Sequence, residues 1–209
     1  NNLKCPKSKT SPLEHNCSGK HAAFLATCKK MNWPLESYLK GDHPLQIEIF
    51  RIVSELLEIP VSEIHAERDD CGAPTLLLKL LEMSKLYSLL SSSENAELEQ
   101  ISRAITTNPI MISDNNKFDT EIIKASHGQV ISKGGAEGIQ CLCKVNEGIG
   151  LAIKVEDGSK RAKHAVSLHL LKQFEWISDL RIQDIEDKVF NFSEGVRIEV
   201  EGQLKFQES

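Results

Sequence analysis

Hydrophobic positions recur with a helical period early in the chain. Ala22, Phe24, Leu25 and Cys28 predict a helix from about Gly19 to Met31, capped by Asn16 or Ser18 and ended by Asn32-Trp33-Pro34. Leu45, Ile49, Ile52, Val53 and Leu56 predict a second, capped by Asp42, with Pro44 in its first turn and Pro60 beyond its end. From His65 to Pro74 the chain is polar and aperiodic, and it feeds an apolar stretch, Leu76 to Leu90, that reads as a buried helix. Polar loops of this kind often carry function. Asn95 to Thr107, stopped near Pro109, and Phe118 to Ala125 complete the first group of helices. After Gly128 the runs become short and β-favouring: Gln129 to Ser132, Ile139 to Val145 and Gly148 to Val155, separated by glycine-containing turns, predict an antiparallel meander. Arg161 to Phe174 and Asp179 to Val189 return to helical spacing, and Val196 to Phe206 predicts one or two further strands. Helices gathered first and a sheet later make the class α+β. Residues 1–16, with Pro6 and Pro12 and no period, read as a linker or exposed segment before a domain spanning 17–209.

Composition narrows the function classes. Twenty-five basic and thirty acidic residues give a net charge of −5, so nothing points to nucleic acid as a partner. No apolar run reaches the roughly 18 residues of a membrane span, and the first ten residues lack a signal-peptide pattern. Six irregularly spaced cysteines in 209 residues do not suggest a disulfide framework. Reduced thiols in a cytoplasmic protein are the expectation. The chain begins Asn1-Asn2 rather than with Met, which suggests an upstream portion removed or located elsewhere.

Three constellations could carry chemistry. In Asn16-Cys17-Ser18-Gly19-Lys20-His21, Cys17 sits where a helix starts, so the dipole and unpaired amides favour its thiolate, and Lys20 lies about one turn on. Either the pair is a reactive or metal-binding site, or it is a helix start with a half-buried thiol and a surface lysine. His21 points about 100° away from Lys20 and reads as a core or supporting histidine. In Asp69-Asp70-Cys71-Gly72-Ala73-Pro74 a tight turn presents Cys71 beside carboxylates, which raise a thiol's pKa. Cys71 is therefore an inert protonated thiol, or else a cation sits there. In Ser132-Lys133-Gly134-Gly135-Ala136-Glu137-Gly138, Lys133 ends a strand where glycines admit close approach; it is a solvated hairpin lysine, or a base at a sheet edge. The second role requires a serine, activated in a Ser-x-x-Lys helix start, and no serine with a lysine three residues later is expected in this chain. Cys141 and Cys143 are expected on opposite faces of one strand, as core and filler residues unable to bite one metal.

Taken together, the motifs resemble the L-asparaginase II family of the rhizobial type. The resemblance rests on His15-Asn16-Cys17-Ser18-Gly19-Lys20-His21-Ala22, Asp42-His43-Pro44-Leu45-Gln46, Cys71-Gly72-Ala73-Pro74-Thr75, and Phe118-Asp119-Thr120. It continues through Lys133-Gly134-Gly135-Ala136-Glu137-Gly138-Ile139-Gln140-Cys141 and Gly150-Leu151-Ala152-Ile153-Lys154-Val155 with Asp157-Gly158. It implies a fold related to serine β-lactamases and glutaminases, and hydrolysis of L-asparagine to L-aspartate and ammonia by serine-lysine pairs. Carried over by position, it makes Cys17, Lys20 and Cys71 zinc ligands and Lys133 the catalytic lysine. It also places the nucleophilic serines upstream of Asn1, so that this chain is the C-terminal majority of such an enzyme and is expected to be inactive alone. Where the family commonly has Asp-Gly before the cysteine, this chain has Asp69-Asp70. A non-catalytic zinc-dependent binding or interaction protein is the rival reading, and a homodimer remains open.

Overall fold

The computed structural model describes residues 11, 13, 15, 17–190 and 197–205. The chain divides into two compact units, Asn1–Leu78 and Lys79–Ser209. Mixed helices and small antiparallel sheets place it in the α+β class. Among the described residues no helix is long and apolar enough to cross a membrane.

The first unit holds α1 (Ser18–Met31), α2 (Pro44–Leu57) and a hairpin of β1 (His65–Arg68) and β2 (Pro74–Leu77). α1 begins at Cys17, which has no side-chain cap, and it closes on Asn32 in the left-handed region (φ 55°). Asn16 lies outside the described residues, and Ser18 is already helical. Of the expected apolar face only Cys28 is buried, because lysines and polar residues interrupt the stripe. α2 is capped by His43, not Asp42. Its Nδ1 accepts the Leu45 amide at 3.1 Å while Nε2 donates to the Pro34 carbonyl at 2.9 Å. An imidazole can satisfy an orphan helix amide as an Asp does, and here the ring is also buried and fixed by its second nitrogen. α2 ends at Leu57, before Pro60, on Glu58 in the left-handed region (φ 59°).

The second unit starts with α3 (Leu80–Ser91), so only the later part of the expected helix from Leu76 forms. Leu76 and Leu77 belong instead to β2, pairing with Ala66 and His65. α4 (Ala96–Thr107), capped by Asn95, the short α5 (Ile110–Ser113) and α6 (Phe118–Ala125) follow. β3 (Val130–Gly134), β4 (Ile139–Lys144) and β5 (Ile149–Lys154) form one antiparallel sheet in sequence order. α7 (Lys160–Gln173) and α8 (Asp179–Val189) close the unit. Residues 197–205 carry no strand, against the expectation for Val196 to Phe206; Val196 and Phe206 themselves lie outside the described residues.

Pairing fixes the faces of the sheet. Leu142 opposes Leu151, and both join Phe118, Ile122, Leu168, Leu171 and Trp176 in the core. Cys143 opposes Gly150 on the other face, where the backbone of α3 lies against the glycine. Cys141 and Cys143 correct the expectation of opposite faces, since side chains two apart on a strand share one face. Both are buried, and burial pushes their thiols up to about 11 and about 12. They are inert core residues.

Candidate functional site

In the first unit the hairpin turn between β1 and β2 and the start of α1 meet. Asp69 builds the turn: its Oδ1 accepts the amides of Cys71 and Ala73, both at 2.9 Å, and Gly72 takes the left-handed conformation (φ 77°) that the turn requires. The other carboxylate oxygen receives Lys20 Nζ at 2.5 Å. Lys20 holds Asp69 below the usual carboxylate range, with the two backbone amides helping. The hydrogen bond and charge of Asp69 outweigh burial and raise Lys20 above its ordinary value. Cys71 and Cys17 are close enough to share a thiol hydrogen bond, the largest cause of the raised Cys71 thiol.

One ligand atom each from His15, Cys17 and Cys71 lies within 4.8 Å of the others. Cys17 and Cys71 are thus neighbours, while Lys20 is engaged by Asp69 of the same turn and interacts electrostatically with both thiols. Asp70 is exposed and takes no part in the turn's hydrogen bonds among the described residues. His21 bonds through Nδ1 to Tyr38 Oη at 2.7 Å and packs edgewise on Phe24 and Tyr38. Gln46 holds the same Tyr38 through its carbonyl.

Lys133 lies in the second unit, exposed near the end of β3, an edge strand of the sheet, with Nζ donating to the Gly134 carbonyl at 2.6 Å. Its strand neighbour Ser132, pointing to the opposite face, is wholly buried and donates to Asp119 Oδ1 at 2.7 Å. Gln140 Nε2 donates to the same oxygen at 2.7 Å and to Ser132 Oγ at 2.9 Å, while the Gly134 amide donates to Asp119 Oδ2 at 2.8 Å. Lys163, nearly buried on α7, donates to the carbonyls of Gly135 and Ile139. Burial lowers its pKa, and the anion of Asp119 partly offsets this. A Cβ at Gly134 would come within 3.0 Å of Lys163 Nζ, 3.2 Å of Gln140 Oε1 and 3.3 Å of Asp119 Oδ2. The backbone beside Lys133 therefore rests on a buried polar cluster that has no room for a side chain.

Next to Lys163, His164 stacks on Phe118 with 4.0 Å between ring centroids. Burial, then the charges of Lys163 and Lys160, push its pKa down to about 4, with Asp119 opposing. An unfolded histidine titrates near 6.5, so as pH falls the unfolded chain takes up the proton first. Stability of the second unit should therefore be lost between about pH 6.5 and 4, by at most roughly 3 kcal/mol. Urea midpoints at pH 7 and 4.5 should converge in His164→Phe; an unchanged pH difference would reject this origin.

One Ser-x-x-Lys spacing does occur, Ser37-Tyr38-Leu39-Lys40, against the expectation that none is present. It sits in a turn closed by Lys40 N–H to the Ser37 carbonyl at 2.9 Å, not at a helix start. Among the described residues no hydrogen bond joins its two side chains.

The model of the family described as L-asparaginase II matches residues 1–206. The chain belongs to the L-asparaginase II family. The family suggests an amide, asparagine, as the small-molecule substrate of an amidohydrolase. No curated protein matches the chain. In this L-asparaginase II chain, His15, Asp69, Asp119, Ser132, Gln140 and Lys163 are polar site or support residues that sequence reasoning gave no role. Five of them stand inside the motifs quoted above, and Lys163 alone does not. A buried polar type in an otherwise apolar strand, as at Ser132 and Gln140, is the signal that could have marked the cluster.

Proposed function

We propose that the protein hydrolyses the side-chain amide of L-asparagine by a serine-lysine mechanism in which Lys133 is this chain's catalytic group. The observation that carries the reading is the seating of Lys133: an exposed amine at a strand edge, on backbone held by Asp119, Ser132, Gln140 and Lys163. A neutral Lys133 amine would take the proton of a serine hydroxyl as the oxygen attacks the amide carbon. The proton passes to the departing nitrogen as ammonia leaves, and water then releases aspartate from the ester. The antiparallel sheet with α3 and α7 packed on it supports a fold related to serine β-lactamases and glutaminases.

The same proposal places zinc on Cys17, Lys20 and Cys71. The donor set suits it: two adjacent thiols and a nearby amine and imidazole are borderline-soft ligands of the kind zinc selects. Lys20 would have to give up its proton and its bond to Asp69, which a dication alongside favours. The metal's charge would hold the thiols as thiolates and tie the hairpin turn to α1. The thiol pair also favours the second reading, a zinc-dependent binding protein without turnover.

Asparagine hydrolysis, followed as ammonia release, separates them. In the active protein Lys133→Met should reduce turnover at least about 1000-fold with the fold retained, since the stem stays and only the amine is lost. Most of the rate surviving would return Lys133 to the solvated surface. The 209 residues alone should release no ammonia above background; steady release, lost in Ser37→Ala, would overturn the assignment of the nucleophile outside them.

A further inference from the structure

We propose that the cavity between the start of α6, the start of α7 and the end of α8 binds a phosphate group, carried by inorganic phosphate or by a phosphate monoester. The site lies wholly in the second unit and does not depend on the zinc or serine-lysine readings. Its volume is about 370 Å³, at the small end of ligand pockets, which run from roughly 300 to 1,000 Å³. Lys117, Lys160, Arg161 and Lys188 line it together with Phe118 and His164, and among the described residues no carboxylate joins them in the lining. Lys188 spends part of its charge on Glu121, whose Oε2 it meets at 2.8 Å. The side chains of Lys117, Lys160 and Arg161 make no hydrogen bond or ion pair among the described residues.

Two features separate this place from an ordinary solvated face. Lys160 and Arg161 occupy the first turn of α7, which holds no acidic residue. A helix N-terminus carries partial positive charge and favours anions, so two cations there oppose the dipole and each other until a negative group joins them. The second feature is His164. It is 6% exposed and stacks on Phe118, and its ring nitrogens have no hydrogen-bond partner among the described residues. Buried polar groups are nearly always satisfied, so an unpartnered imidazole on a cavity wall marks a position for an acceptor. Neutral at pH 7, the ring offers one N–H. A phosphate carries a charge of about −1.5 to −2 at that pH and at least three acceptor oxygens, enough for the three uncommitted cations and this N–H to share. A carboxylate brings one charge and two oxygens, and leaves part of the set unanswered.

Titration calorimetry at pH 7 and constant ionic strength, with sodium phosphate and glycerol phosphate as separate probes, tests the site. The wild type should bind at least one of them saturably, at one per chain, and the bound probe should shift the His164 ring resonances, assigned by their loss in His164→Phe. Saturable binding of inorganic phosphate alone assigns the free ion, and glycerol phosphate binding as tightly or more tightly assigns an ester. Lys160→Gln and Arg161→Gln should each weaken binding at least about tenfold, the effect of losing one hydrogen bond to a charged group. Both residues are exposed, so the fold should survive their replacement. Arg103→Gln removes the same charge from an exposed position on α4 and should leave binding unchanged. Two results would overturn the proposal: a wild type that binds neither probe saturably, or equal weakening in all three variants, which would reduce the effect to net charge.

Discussion

Gly150→Ala should prevent the second unit from folding. An alanine Cβ at this position on β5 would lie 2.2 Å from the Ser84 carbonyl oxygen, 2.4 Å from the Ser88 nitrogen and 2.9 Å from the Tyr87 carbonyl carbon. All three are backbone atoms of α3, so no rotamer change can relieve them; the helix must lift from the sheet as a body. Overpacking by one methyl usually costs about 1–3 kcal/mol where side chains can yield. With backbone on the receiving side the cost should be about 4 kcal/mol or more, a large part of a small domain's stability. Circular dichroism across a urea titration should show Lys79–Ser209 largely unfolded before denaturant is added. Gly19→Ala is the matched control, because among the described residues beyond its chain neighbours and its own helix backbone nothing lies within 4 Å of its added Cβ, and alanine favours a helix. A Gly150→Ala protein with the wild-type midpoint would mean that α3 does not rest on β5 in this way.

Gly150 also shows what the sequence could and could not say. Glycine inside a β-favouring run marks a place where a backbone comes close, but the run itself cannot name the element that approaches. Periodicity located α6 and α8 to the residue, and the β-favouring runs between glycine-containing turns located the meander to within two residues. It failed where a residue's usual role was replaced by a neighbour's. Asp42 is the stronger capping type, yet His43 caps α2 because Pro34 fixes its second nitrogen. Leu76 and Leu77 look helical in composition, yet pairing with His65 and Ala66 draws them into a strand.

The candidate sites divide in the same manner. Cys17, Lys20 and Cys71 were legible as types at a helix start and a tight turn, although no local pattern states that a turn 49 residues after Lys20 delivers Asp69 to it. The family resemblance supplied that pairing of motifs. The buried cluster under Gly134 was not legible, because Asp119, Ser132, Gln140 and Lys163 come from four elements, α6, β3, β4 and α7, and have no common spacing. Their conjunction is a property of the register: Gly134 opposes Gln140 and Ser132 opposes Leu142.

Asp119→Ala should remove about 3–5 kcal/mol from the second unit and, on the catalytic role proposed for Lys133, most of the turnover of the active protein. Asp119 is 7% exposed and accepts from the Ser132 hydroxyl, the Gln140 amide and the Gly134 backbone N–H. Truncation leaves these buried donors without their anion, at about 1–3 kcal/mol each before relaxation. The Gln140 amide keeps Ser132 Oγ as a partner, which limits the total. Lys163 loses its compensating negative charge at the same time, so its amine becomes easier to deprotonate. Asp119→Asn should cost less than Ala but not nothing. An amide carries one acceptor oxygen: turned toward Ser132 and Gln140, it sets its own NH2 against the Gly134 N–H. Ser132→Ala should be milder still, about 1 kcal/mol, because it removes one donor and leaves the other two on the carboxylate. The order Ala, Asn, then Ser132→Ala, read from urea midpoints, is what distinguishes a hydrogen-bonded support from simple packing. Three equal losses, or a near-neutral Asp119→Ala, would show that the carboxylate does not hold β3, and the positioning of Lys133 would then need another cause.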